Sequence, residues 1–135
     1  MDERIVKFLK KMHLASVCAI DDDGQPYAFS AFYAFDEVNF CLLLASSDES
    51  SHIKFLKNSK LIAGTIALDT KIVGKIEGVQ FQGVMREASA SEREIYFKRF
   101  FYAKTMDPKI WSISLEKVKF TSNTLGFGKK FFWQK

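Results

Sequence analysis

The sequence predicts a mainly β fold, an antiparallel sheet that closes into a small β-barrel with peripheral helices. Strand-length apolar runs recur along the chain and are joined mostly by short turns, which favours antiparallel neighbours. Several of these runs are apolar on both sides, as strands are when closure and covering helices bury both faces. Aromatic residues make up 15% of 135 positions, 14 of them Phe, so a large apolar area must be buried, part of it in a subunit interface. A single domain over residues 1–135 is large enough to do so without metals or disulfides.

The elements follow in order. Asp2 to Met12 places Ile5, Val6, Phe8, Leu9 and Met12 at helical spacing, with early acids and late lysines that suit the helix dipole. Leu14 to Ile20 reads as a strand, and Asp21-Asp22-Asp23-Gly24 as a turn; the distal glutamate of a calcium loop is absent. Tyr27 to Phe35 and Val38 to Ala45 form a hairpin across the two residues Asp36-Glu37. A short helix, about Ser51 to Asn58, precedes a strand from Leu61 to Leu68. From Ile76 to Ala88, Val79, Phe81 and Met85 alternate with Gln80, Gln82 and Arg86, giving one core face and one polar face. Ser91-Glu92-Arg93-Glu94 reads as a capping box with Ser91 as N-cap, opening a helix that runs to about Ala103 before Asp107-Pro108 stops it. Trp111 to Leu115 and Val118 to Thr121 supply one or two strands, and a turn at Asn123–Gly128 leads into KKFFWQK. The total is six or seven strands and three helices.

Composition narrows the function classes. No apolar run reaches the roughly 18 residues of a membrane span, and the N-terminus has no signal-peptide core, so a cytoplasmic protein is expected. Cys18 and Cys41 lie in apolar strand runs and read as reduced, buried thiols. With only His13 and His52 beside them, no transition-metal site is expected, and the glycine-rich phosphate loops and hydrolase motifs are missing. Residues 1–90 hold 10 Lys+Arg against 12 Asp+Glu, whereas residues 91–135 hold 10 against 4, so the positive charge is C-terminal. The basic-aromatic tail lacks the strand patterns of RNA-binding modules, and nucleic acid is not the expected partner.

The candidate site is the stretch between Phe40 and Ala67. Ser46, Ser47, Ser50, Ser51, His52 and Lys54 surround a helix start, where hydroxyls, backbone N–H groups and a cation suit a phosphate. Asp48 and Glu49 oppose this unless they point away, because two nearby carboxylates repel a phosphate. Gln80 and Gln82 share one strand face, and each amide both donates and accepts, as a heterocycle with carbonyls and ring nitrogens requires.

The order of elements resembles the FMN-binding split barrels related to pyridoxamine 5′-phosphate oxidase. AFYAFD at Ala31–Asp36, GVQFQG at Gly78–Gly83 and KFTSNTLGFGKKFFW at Lys119–Trp133 are similar to the small bacterial YhbP-type branch, whose reaction is unassigned. The resemblance implies a six-stranded antiparallel split barrel of the FMN-binding type, a homodimer with FMN in clefts at the interface. The phosphate would fall to Ser46, Ser50, Ser51 and His52, the ring to Gln80 or Gln82, and Lys129 would help neutralise charge. In the oxidase family, a Ser-Arg-Lys run holds the phosphate, and Ser50, Ser51 and His52 stand at those positions, so two cations are missing. The oxidase's C-terminal substrate residues have no counterpart in LGFGKKFFWQK, so pyridoxamine phosphate oxidation is not expected. The implied activity is that of a flavin-dependent oxidoreductase of unassigned substrate. The alternative is a non-catalytic module binding haem, another small molecule or a protein on the same dimeric barrel.

Overall fold

The computed structural model describes all residues from Met1 to Lys135. Helix α1 (Glu3–Lys11) is followed by β1 (Leu14–Ile20), β2 (Pro26–Asp36), β3 (Cys41–Ala45), α2 (Ser51–Phe55), β4 (Leu61–Ala67), β5 (Glu77–Glu87), α3 (Ala90–Arg99), β6 (Ile110–Ser122) and β7 (Lys129–Gln134). The strands lie in the order β3-β2-β1-β4-β5-β6-β7, all antiparallel, and a further pairing of β3 with β6 closes the first six into a barrel. Strand β6 has two partners on one edge: its first half, Ile110–Ser114, pairs with β3, and its second half, Lys117–Ser122, pairs with β7. The KKFFWQK tail is therefore a seventh strand that extends the sheet past the closure.

Alternation fills the barrel. Val17, Ile62, Ile66, Val79, Phe81, Leu115 and Phe120 all point inward and are buried. Gly64 of β4 also faces inward, and a Cβ there would collide with the Phe81 ring and the Ser16 carbonyl oxygen. The strand keeps a glycine because the aromatic side chain fills that space. Helix α1 closes one end of the barrel with Ile5, Phe8 and Leu9, and the buried Tyr33 hydroxyl donates to the Leu9 carbonyl at 2.8 Å.

A β-bulge sets which β6 residues face out. Gln82 pairs with Lys117 but Gly83 pairs with Leu115, leaving Glu116 as the extra residue. Before the bulge Trp111, Ile113 and Leu115 point inward; after it Val118 and Phe120 do, and Lys117 and Lys119 turn outward. One strand thus replaces the two that the gap between Leu115 and Val118 would allow.

Helix α3 covers only part of the barrel's outside. Tyr96 and Phe97 pack with Ala34, Leu43 and Ile110 in a second core over β2, β3 and the start of β6. The outer face of β1, β4, β5 and the far half of β6 has no helix on it.

Four boundaries differ from the expectations. Helix α2 stops at Phe55 rather than at about Asn58. The capping box is Ser89 with Glu92, not Ser91 with Glu94: Ser89 Oγ accepts from Glu92 N at 3.3 Å and Glu92 Oε1 accepts from Ser89 N at 2.9 Å. Both registers satisfy the pattern, but burial of Glu92 against Arg86 and Ser112 selects the earlier one. Helix α3 then stops at Arg99 and continues as a short 3₁₀ segment, Phe101–Met106. The β2–β3 turn spans four residues, not two. Asp36 pairs with Cys41, its carboxylate accepts from the Val38 and Asn39 amides at 3.0 and 3.1 Å, and Phe40 takes a positive φ of 56°.

Candidate functional site

The predicted residues fall into three places. Ser46, Ser50 and His52 meet where β3 leaves the barrel. The Trp111 indole donates to the Ser46 carbonyl at 3.0 Å, which fixes this corner. Ser46 Oγ donates to Ser50 Oγ at 3.2 Å and lies 2.7 Å from His52 Nε2. The half-buried imidazole stacks on Phe29, centroids 3.6 Å apart and within 8° of parallel. Burial lowers the His52 pKa from 6.5, so the ring is neutral at pH 7. Beside it, Ser47 Oγ accepts from the Glu49 amide at 3.1 Å, and Ser51 and Lys54 are exposed.

The neighbouring charges are already matched. Lys54 lies 3.9 Å from Glu49, and Lys109 lies 3.0 Å from Asp48. The corner offers hydroxyls and an imidazole, but its cations are engaged with carboxylates. Helix α2 spans five residues, and its N-cap Ser50 makes no side-chain capping bond. A cleft of about 330 Å³ opens alongside, between Phe29 to Phe32, Ser46, His52 and Tyr96.

Gln80 and Gln82 lie elsewhere, on the uncovered outer face. There, Cys18, Ala63 and Thr65 form a low floor and Gln80, Gln82, Lys117, Lys119 and Phe132 rise around it, enclosing a trough of about 580 Å³. The register explains the shape. Cys18, Ala63, Gln82, Lys117 and Gln134 form one row across five strands, and Ser16, Thr65, Gln80, Lys119 and Phe132 form the next. Small side chains on β1 and β4 and long ones on β5 to β7 leave the hollow. Cys18 is half-buried on this floor rather than inside the barrel, whereas Cys41 is buried.

Lys129 opens β7 opposite Ser122 and leans on Phe131 with its Nζ 5.8 Å from the ring centroid, outside the trough lining. Lys117, Lys119 and Phe132 were not anticipated as site residues. The signal for the two lysines in the sequence is the phase slip between Leu115 and Val118, which turns both toward solvent.

A buried polar cluster anchors α3. Glu92 accepts from Arg86 at 2.7 Å and from Ser112 at 2.6 Å. Burial acts to raise this carboxyl, but the Arg86, Ser112 and Ser89 hydrogen bonds outweigh it and lower its pKa to about 2. Asp36 and Cys41 lie within 4.8 Å of it, and both carboxylates are already bonded to protein donors.

This architecture is that of a split-barrel protein. The chain is 38% identical over 133 residues to the UPF0306 protein YhbP of Salmonella schwarzengrund, covering 96% of this chain and 90% of that one. It is 37% identical to the YhbP of Salmonella paratyphi B with the same coverage. The chain belongs to the UPF0306 (YhbP) family. A scan of protein-family models gives no match. Among solved structures, it is similar to a haem-binding protein from Mycobacterium smegmatis (TM-score 0.74, 16% identity, 91% of this chain and 53% of that one). It is also similar to an FAD-binding protein from Mesorhizobium loti (TM-score 0.71, 14% identity, 87% and 91%). HutZ, the haem storage protein of Vibrio cholerae, gives a TM-score of 0.67 at 14% identity, over 85% of this chain and 89% of that one. At these identities the likeness establishes the fold. No helix is long and apolar enough to cross a membrane.

Proposed function

We propose that this protein binds a planar aromatic cofactor of the flavin class, FMN in the first instance, on the outer trough, and does so as a homodimer. The observation that carries the reading is the trough itself. Its volume of about 580 Å³ falls within the range of small-molecule sites. Its lining combines a flat floor of small side chains, three amides (Gln80, Gln82 and Gln134) that can meet ring carbonyls and nitrogens, two cations and the exposed Phe132 ring. This donor set fits an anionic heteroaromatic group.

The second copy is argued from the same face. Leu61 of β4 is 59% exposed and with Leu14 of β1 borders the polar rows of the uncovered sheet, and Phe32, paired with Leu14 on β2 beside Phe100, is 56% exposed where that face meets α3. Apolar side chains grouped on one face favour association. In the dimer, the Ser46–Ser50–His52 corner of one protomer would face the trough of the other and supply neutral hydrogen-bonding groups. A flavin bound there would provide the electron chemistry of an oxidoreductase, while this chain binds, orients and shields it. The split-barrel neighbours, one FAD-binding and two haem-binding, and the likeness to the pyridoxamine 5′-phosphate oxidase barrels support a cofactor of this size.

One observation favours haem as the second reading: His52 is neutral, and a neutral imidazole is a competent iron ligand. Against it, His52 Nε2 is already engaged with Ser46. A thermal-shift series with FMN, FAD and haemin separates the readings. Stabilisation by FMN supports the flavin assignment, and stabilisation by haemin alone, with a Soret band, replaces it with haem.

A further inference from the structure

We propose that Lys117 and Lys119 form the anion-binding end of the outer trough and hold the phosphate of a planar, phosphorylated heteroaromatic ligand. The inference rests on the cofactor reading above and moves its charged contact away from the serine corner. Both lysines face outward only because of the Glu116 bulge. Without that extra residue, the β6 alternation would aim them into the core. They sit directly across from the amides, Lys117 opposite Gln82 and Lys119 opposite Gln80. Side chains so placed on one face of a sheet are about 5 Å apart at Cβ, so an amide and an ammonium reach the same ligand.

Lys117 and Lys119 are the charged residues that line the trough. Neither forms an ion pair, whereas Lys54 and Lys109 beside the serine corner both do. No carboxylate lines the trough. Lys119 is half-buried, where a charge is screened less by water. Glu116 borders the neighbouring hollow beside Gln82 and Gly83 and makes that end less favourable to an anion, so the phosphate is directed toward Lys119. Phe132, opposite Lys119 and 70% exposed, presents a ring face on which the planar part of the ligand can stack.

Riboflavin and FMN differ only in the phosphate and are the probes. Each is titrated into the wild-type protein, K117Q/K119Q and S50A/S51A at low ionic strength, with flavin fluorescence as the readout. The wild type should bind FMN at least about tenfold more tightly than riboflavin, the effect of charge-assisted hydrogen bonds to one phosphate. K117Q/K119Q should bring that ratio close to one while keeping its riboflavin affinity, and S50A/S51A, which removes neutral hydrogen-bonding groups only, should change the affinity for both flavins by the same factor and so leave the ratio unchanged. Melting of the ligand-free variants checks that folding is intact. A preference for FMN that survives in K117Q/K119Q overturns the lysine assignment, as does one lost only in S50A/S51A; in either case the cofactor reading stands. If neither flavin binds the wild type, the cofactor reading fails and this inference fails with it.

Discussion

The His52 imidazole lies parallel to the Phe29 ring at 3.6 Å and places its Nε2 2.7 Å from Ser46 Oγ, so one side chain joins α2 to both β2 and the end of β3. Burial of the imidazole in this corner lowers its pKa and favours the neutral ring. His52→Ala should cost about 1–2 kcal/mol, from the lost stack and hydrogen bond together. Its pH signature follows from linkage. The folded-state pKa is lowered by burial, so the unfolded chain takes up a proton that the folded protein resists, and stability declines as pH falls below 6.5 toward the folded value. Urea melts at pH 7.5 and 5.5 should show this loss in the wild type and a smaller one in His52→Phe.

Glu92 should matter at lower pH. Its folded pKa is near 2 against an ordinary 4.5, so its contribution is fully present above about 4.5 and disappears as pH falls toward 2. Glu92→Gln should lower stability at pH 7 by about 2 kcal/mol, a discounted value because Arg86 is partly solvated and can rehydrate. The variant's acid-unfolding profile should be flatter than the wild type's between those pH values. An unchanged profile would mean that another carboxylate controls acid stability.

Gly64→Ala should destabilise by about 1–3 kcal/mol, since the new methyl group meets the Phe81 ring and the Ser16 carbonyl in a filled barrel. Ala63→Ser, one residue away but on the trough floor, should have little effect. Denaturant midpoints of the two variants compare inward and outward positions on one strand.

The proposed homodimer predicts a mass effect. Leu61→Glu places a charge on the uncovered face and Phe32→Glu places one on β2 where that face meets the α3-covered side, neither entering the core, and the double variant should sediment as a monomer where the wild type is expected to sediment as a dimer. A wild-type protein that is monomeric at micromolar concentration would remove the interface from the account.

Much of the barrel was legible in the sequence because its strands carry strong signals. The alternation of Val79, Phe81 and Met85 with Gln80, Gln82 and Arg86 identified the two faces of β5 and placed both glutamines outside. What escaped were features decided by tertiary contacts. Ser89 and Ser91 both satisfy a capping pattern, and only the burial of Glu92 chooses between them. The β2–β3 turn is lengthened by Asp36, whose carboxylate binds two amides of the loop. The candidate site was harder to read still, because it is assembled across the sheet. Gln80 and Lys119 are 39 positions apart in the chain but adjacent in register. Near Ser51 and His52, Lys54 and Lys109 are paired with carboxylates, whereas Lys117 and Lys119 on β6 form no ion pair. The slip from odd to even apolar positions after Leu115 was visible, but a β-bulge and a break between two strands leave the same pattern.

The central claim, a flavin-binding trough on the open face of the barrel, is tested most directly by the visible absorption spectrum of freshly purified protein before and after incubation with FMN and desalting. The account predicts that the oxidised-flavin bands persist through desalting at close to one per protomer in the wild type and are lost in a Gln80→Ala/Gln82→Ala variant of unchanged melting temperature. A wild-type protein that emerges colourless from the FMN incubation would contradict it.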